Sequence, residues 1–86
     1  MLLTGFVRTE ETDGQGAGLW MRIDGRNRNV VGFDNMNSRP ILGTKEWTQY
    51  KIEMEVPENS TYITFGVLLK GGGIAWADGF AIETIE

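Results

Sequence analysis

The sequence predicts an all-β fold, namely an antiparallel two-sheet β-sandwich of about six strands. Apolar residues recur at every second position in several segments, whereas the 3.6-residue period of a helix is nearly absent. The 12 glycines favour many turns over long helices. At 86 residues the chain has room for one domain, expected over residues 1–86, with a thin hydrophobic core.

The first three predicted strands cover residues 2–8, 18–24 and 30–34, where apolar side chains alternate with polar or small ones. The segment between the first two, residues 9–17, is polar and rich in glycine, and it is predicted to be a loop. An Asp-Gly pair after the second strand predicts a turn that reaches Asn29, because this pair accepts the backbone angles of tight turns.

The fourth predicted strand, residues 46–56, has the clearest alternation and follows a loop at residues 35–45. One face is apolar and the other polar, as in an antiparallel sheet with one wet side. Its apolar residues are Tyr50, Ile52, Met54 and Val56, and its polar residues are Gln49, Lys51, Glu53 and Glu55. Pro57 ends this strand, and two further strands are predicted over residues 61–69 and 74–85.

Three consecutive glycines, Gly71 to Gly73, separate the last two strands. A phosphate-binding loop would open into a helix, because the helix N-terminus supplies amide donors. The residues that follow are strand-like, and Lys70 precedes the glycines instead of following them. The glycines are therefore predicted to be a plain connection, either within one sheet or between two.

Composition excludes several kinds of chemistry. The chain has no cysteine and no histidine, which removes thiolate metal sites, disulfides and a Ser-His-Asp triad. None of the aspartates has calcium-loop spacing, so the sequence predicts a non-enzyme with no cofactor and no metal. Asp78 is instead expected to accept backbone hydrogen bonds at a strand irregularity.

Charge and hydropathy predict the partners of the chain and its location in the cell. The formal net charge is -4, and the sole basic cluster is Arg26 with Arg28, which argues against nucleic acid as a partner. No apolar stretch is long enough for a membrane helix or a signal peptide. The sequence therefore predicts a cytoplasmic protein without a membrane partner.

Aromatic and polar residues provide candidates for a ligand site. Trp47 and Trp76 are expected in the core from the alternation around them, whereas Trp20 shares its face with Arg22 and could be core or surface. The loop FDNMNSRP combines amides, a carboxylate and a guanidinium, which suit hydroxyl-rich or anionic ligands, although an ordinary solvated loop is the alternative. The predicted ligand-binding residues are Trp20, Arg22, Asp34, Asn35, Asn37 and Arg39.

A series of motifs in the second half resembles a known class. The motifs are Trp47 with Tyr50, Val56-Pro57-Glu58, the segment 63–68, the glycine turn, and Trp76 with Asp78. In this order they resemble the C-terminal part of a bacterial jelly-roll domain of the galactose-binding-like, carbohydrate-binding-module-like class. The resemblance implies a non-catalytic module that binds a carbohydrate or another small polar ligand. The alternative is a structural or protein-interaction domain that acts through homo-oligomerisation.

The same resemblance predicts an incomplete sandwich. Domains of this class usually have further strands before the point that matches the start of this sequence. A sandwich without them exposes a sheet edge and part of its core. A two-fold homodimer that covers the gap is therefore expected, with a monomer whose edge is protected by charge as the alternative.

Overall fold

The chain forms five antiparallel strands in one hydrogen-bonded sheet, seen in a computed structural model that describes residues 1–84 apart from the side chain of Arg28. The strands are β1 (Leu2–Gly25), β2 (Val30–Asp34), β3 (Ile41–Glu53), β4 (Ser60–Lys70) and β5 (Ile74–Glu83). A short 3-10 turn, Arg26–Arg28, joins β1 to β2. The all-β prediction is confirmed. In this part of the chain, no helix is long and apolar enough to span a membrane.

The long strand β1 is the centre of the fold, because each of the other four strands pairs with it. Its first half, residues 2–10, lies between β3 and β5, and its second half, residues 16–25, lies between β2 and β4. The first two predicted strands are thus one continuous strand, which reduces six strands to five. The predicted division into two separate sheets is not confirmed, since β1 belongs to both halves.

The polar segment between the two halves is a bend in β1 and not the predicted loop. Register shifts interrupt its pairing with β3, and Glu11, Gly14 and Gly16 have φ angles of 51°, 64° and 69°. Such β-bulges bend a strand without ending it. The hydroxyls of Thr9 and Thr12 are buried and donate to carbonyl oxygens of β3 at 3.0 Å, so the polar side chains are satisfied inside the bend.

The three-glycine turn connects β4 to β5, which confirms the prediction of a plain connection. It lies directly against the bend of β1, where the Gly72 amide donates to Asp13 Oδ1 at 2.7 Å. A Cβ atom at Gly71 would be 2.5 Å from the Asp13 carbonyl oxygen, and one at Gly73 would be 2.6 Å from that of Glu11. Glycine is therefore required here by close backbone approach, and no phosphate-binding role is needed to explain it.

The inner faces of the two halves share one hydrophobic core. The buried core residues are Leu3, Val7, Ala17, Leu19, Met21, Met36, Ile41 and Ile52. A Cβ atom at Gly5 would be 3.3 Å from Leu19 Cδ2, which shows that the halves of β1 meet. Phe65 and Phe80 line the inner side of β4 and β5, with ring centroids 5.5 Å apart, yet both stay partly exposed. The core is therefore open along this side.

A β-bulge in β5 reverses the faces that the alternation predicted. Asp78 pairs with Phe6 whereas Ala81 pairs with Thr4, so β5 has one extra residue at this point, and Gly79 has a φ of 63°. Residues before and after this bulge were predicted to share a face of the sheet. In the structure they lie on opposite faces. The last predicted strand position, residue 85, lies outside the described residues.

Two tryptophans predicted to be buried are consequently on the surface. Trp76 pairs with the outward-pointing Arg8 and is 36% exposed. Trp47 is 47% exposed, because it alternates in β3 with Thr48 and Tyr50, which pair with the inward-facing Val7 and Gly5 of β1. Both core predictions are wrong. The prediction for Asp78 is confirmed, since its Oδ1 atom accepts the Gly79 amide at 2.8 Å at the bulge.

Candidate functional site

The outer side of the first half of β1 carries a cluster of exposed aromatic residues. Phe6 and Arg8 point outward from β1 because their neighbours in the chain, Gly5 and Val7, point into the core. Side chains of the flanking strands extend the surface on both sides. We call this surface the aromatic face, and its members are Phe6, Arg8, Trp47, Trp76 and Asp78.

One cation of the aromatic face is already bound within it. The guanidinium carbon of Arg8 lies 4.7 Å from the centroid of the Trp76 ring. At this distance the cation is attracted by the negative face of the indole ring. The contact fixes Arg8 against β5 and shows that aromatic rings on this surface accommodate a guanidinium group.

A shallow cavity of about 300 Å³ opens beside this contact and is lined by Phe6, Trp47, Asp78 and Gly79. We call it the slot. A Cβ atom at Gly79 would be 3.1 Å from the Phe6 ring, so glycine keeps the slot from being narrowed by a side chain. Asp78 accepts one backbone amide, but a carboxylate has about four acceptor sites. Two aromatic rings and an anionic group therefore border the same space.

On the outer side of the second half of β1, similar residue types contact the fold and do not border the slot. Trp20 is half-buried over Gly66, where a Cβ atom would be 3.0 Å from the indole Nε1. Arg22 Nε lies 3.1 Å from Asp24 Oδ1, and Asp24 is 8% exposed. That oxygen receives no well-aligned hydrogen bond, so the pair is held chiefly by opposite charge. Both predicted ligand residues, Trp20 and Arg22, are thus in contact with the fold itself.

The predicted ligand loop is held together by its own polar groups. Asp34 accepts the Met36 amide on Oδ1 at 2.9 Å and pairs with Arg39 Nη2 through Oδ2 at 2.9 Å. Asn35 Oδ1 accepts the Asn37 amide at 3.0 Å. The two contacts with backbone amides are Asx turns, in which a side chain replaces a backbone acceptor. The loop residues selected for ligand binding therefore shape the loop.

The charge state of Asp34 follows from its neighbours. Partial burial acts to raise its pKa, but the hydrogen bond from Arg39, the Met36 amide and the charge of Arg39 together outweigh that effect. The pKa of Asp34 is thus lowered from its ordinary value of 3.8. Asp34 is therefore an anion that is already paired with a cation at neutral pH.

The six predicted ligand residues do not form one site. Asp34 is paired with Met21 in the sheet, whereas Trp20 and Arg22 point to the opposite side from Met21. Asp34 and Arg39 are brought together and border a cavity of about 590 Å³ beside β3. Asn35 and Asn37 lie in the loop between them. Ligand binding by any of these residues stays a prediction.

Sequence reasoning missed the residues of the slot, although one signal was present. The Asp-Gly pair at residues 78 and 79 favours a positive φ, and the strand irregularity expected at Asp78, if treated as a bulge, would have moved Trp76 to the outer side. Trp47 carried no such local signal. Among the described residues, no group of three or more acidic side chains is placed to hold a metal ion.

Comparison with known proteins adds a relative to these observations. The chain is 44% identical over 84 residues to a Bacillus subtilis (strain 168) protein named "Uncharacterized HTH-type transcriptional regulator YbfP". The match covers 98% of this chain and 28% of that protein, so the chain spans just over a quarter of its relative's length. No family model matches the chain, and no solved structure matches it.

The relative overturns two predictions made from the sequence. Its name describes a transcriptional regulator, which contradicts a carbohydrate-binding module. It also contradicts the exclusion of nucleic acid as a partner, whereas the expected homodimer is not supported by any finding. The physical reason is that the exclusion used the charge of 86 residues. DNA affinity depends on the charge of the part that contacts phosphates, and an acidic segment can belong to a DNA-binding protein.

Proposed function

We propose that this chain is a β-structured part of a transcriptional regulator of the helix-turn-helix type, with DNA as the nucleic-acid partner of that regulator. The observation that carries this proposal is the 44% identity to a protein of that name across nearly the whole chain. The proposal gives the chain no catalytic step, and it places the chain in the cytoplasm, where bacterial DNA is transcribed. We also propose that the chain belongs to the jelly-roll class that its motifs resemble.

The fold supports separate DNA-contacting and modulating parts within such a regulator. A helix-turn-helix motif consists of two α-helices, of which the second enters the major groove of DNA. Residues 1–84 form strands and one 3-10 turn of three residues. The match to the relative covers 28% of its length, which leaves ample chain for the two helices. We therefore place DNA contact in the helical part of the regulator and a modulating role in this β part.

The surface of the chain fits a modulating role. Phe6, Trp47 and Trp76 are exposed together on the aromatic face. Grouped exposed apolar side chains on a small domain mark a surface that contacts another molecule or another part of the same protein. A β part that contacts the helical part through this face would alter how the regulator engages DNA.

Chromatin immunoprecipitation of the tagged gene product in its native host tests the proposal. We expect enrichment at discrete DNA sites and changed transcription of the neighbouring genes when the gene is deleted. Uniform background binding together with an unchanged transcriptome would refute it.

A matched pair of variants tests whether the β part modulates this activity. Leu19→Asp places a charge in the core, where Leu19 is 0% exposed, and should alter transcription of the bound genes. Leu42→Asp makes the same chemical change at a position that is 46% exposed and should leave transcription as in the wild type. If the two variants have the same effect on transcription, the β part does not modulate the regulator.

A further inference from the structure

We infer that the slot binds an arginine side chain presented by a basic protein segment. Its lining combines the rings of Phe6 and Trp47 with the carboxylate of Asp78, around a volume of about 300 Å³. Aromatic ring faces attract cations, and a carboxylate accepts charge-assisted hydrogen bonds from them. The larger cavity beside β3 also has an aromatic ring and carboxylates in its lining, but the cations Arg39 and Lys51 line it too, whereas no cation among the described residues lines the slot.

The aromatic face itself indicates arginine in preference to lysine. Arg8 already lies on Trp76 with its guanidinium carbon 4.7 Å from the ring centroid. A planar guanidinium stacks on an indole and can donate two parallel hydrogen bonds to a carboxylate, whereas an ammonium group is a compact point charge. Trp47 supplies a second indole, and Asp78 supplies the carboxylate that the Arg8 contact lacks.

The size and charge of the surface indicate a protein segment as the source of the arginine. Phe6 and Trp47 are 41% and 47% exposed, and together with Trp76 they offer more apolar area than one guanidinium can cover. Tryptophan, tyrosine and arginine are enriched at the energetic centre of protein interfaces. The chain has a formal net charge of -4, which complements a basic partner.

The identity of that segment rests on the proposed function. The DNA-contacting part of a regulator is basic because it neutralises phosphates. It is therefore the basic segment that would belong to the same protein as the slot. The chemistry of the slot does not depend on this assignment. Binding to the 86-residue chain can be measured without DNA, which keeps the failure of the slot distinguishable from the failure of the regulatory role.

The test is a titration of the 86-residue chain with the peptide Gly-Ser-Arg-Arg-Ser-Gly, followed by tryptophan fluorescence and by amide chemical shifts. The control peptide carries citrulline at both arginine positions, which keeps the shape and removes the charge. We expect saturable binding of the arginine peptide, with shifts centred on Phe6 and Gly79, and about tenfold weaker binding of the citrulline peptide. Equal binding of both peptides would overturn the inference.

Two variants locate the binding. Asp78→Asn keeps the shape and an oxygen that can accept the Gly79 amide, and it should weaken arginine-peptide binding about tenfold. Glu58→Gln removes the same charge at an exposed turn and should change affinity by less than about twofold. Trp47→Leu should also weaken binding, since it removes the indole but keeps an apolar side chain. Unchanged affinity in Asp78→Asn would exclude the slot.

A third titration distinguishes the source of the arginine. Free arginine amide offers the same guanidinium without a peptide, so we expect it to bind more weakly than the arginine peptide. If arginine amide binds as tightly as the peptide, the assignment to a protein segment is wrong.

Discussion

The outer sides of the two halves of β1 hold the same kinds of residue in different arrangements. In the second half, Trp20 lies on the sheet over Gly66, and the charge of Arg22 is paired with Asp24 at 3.1 Å. The tryptophan there contacts the sheet, and the arginine and the aspartate contact each other. The Arg22 side chain is 45% exposed, but its charge is paired with that of Asp24.

In the first half, the same residue types leave a space between them. Arg8 is held by Trp76, but Trp47 and Asp78 border the open slot. The difference comes from the position of a glycine. Gly66 lies beneath an indole and lets it lie flat, whereas Gly79 forms a bulge that separates the side chains around it. Residue types alone therefore do not make a site, because the local backbone decides whether they contact each other.

The largest expected effect tests whether the two halves share one core despite their different outer sides. Leu3 and Leu19 are each 0% exposed, one in each half. Leu3→Ala and Leu19→Ala should each lower the free energy of unfolding by about 3 to 5 kcal/mol, because each leaves a cavity in the common core. Urea denaturation followed by circular dichroism should show one transition in both. Two separate transitions would mean that the halves are independent.

The next effect concerns the junction of the halves at the three-glycine turn. Gly73 has a φ of 99°, and a Cβ there would be 2.6 Å from the Glu11 carbonyl oxygen. Gly73→Ala should lower the free energy of unfolding by about 2 to 3 kcal/mol. Gly43→Ala is the control, because Gly43 has a φ of 82° and open space around it, and should cost about 1 kcal/mol. Equal thermal shifts in the two variants would argue against close packing of the turn on β1.

A smaller effect compares the tryptophans of the two outer sides. Trp20→Ala removes a half-buried ring from the sheet and should lower the free energy of unfolding by about 2 kcal/mol. Trp47→Ala removes a ring that is 47% exposed and should cost about 1 kcal/mol or less. A buried Trp47, as predicted from the sequence, would cost about 3 to 5 kcal/mol. Chemical denaturation of the two variants decides between these values.

The smallest effect comes from the loop, where an aspartate and an arginine pair without an aromatic ring. The pKa of Asp34 is lowered in the folded state, so its contribution is present above its ordinary value of 3.8 and is lost as pH falls through the lower folded value. Asp34→Asn should cost about 0.5 kcal/mol at pH 7, and less at pH 2. Stability curves at both pH values measure this, and a larger loss at pH 2 would contradict the assigned charge state.

Local patterns predicted much of the fold because neighbouring residues determine them. The strand at residues 30–34 has the bounds of β2, and the strand at 61–69 lies within β4. The glycine turn also has its predicted place. Residues 9–17 were misjudged because their polarity and glycines are typical of a loop, whereas buried hydrogen bonds to β3 keep them in the sheet.

The candidate site was less predictable, since its members come from three strands. Phe6, Trp47 and Asp78 lie far apart in the chain and meet through the pairing of β1 with β3 and β5. Alternation placed Trp76 in the core because the change of face at the irregularity expected at Asp78 was not applied to it. A single extra residue there reverses the side to which a side chain points. The loop residues 34–39 were correctly grouped, but their contacts with each other were not foreseeable from residue type.

The sequence by itself determined the strand-forming character of this chain, its turns and its lack of histidine and cysteine chemistry, because these depend on composition and on residues close together in the chain. The tertiary structure alone decided that two predicted strands are one bent strand, which tryptophans face solvent, and where a carboxylate meets two aromatic rings. The physical reason is that bulges and strand pairing set the direction of side chains, and both depend on contacts between residues far apart in the sequence.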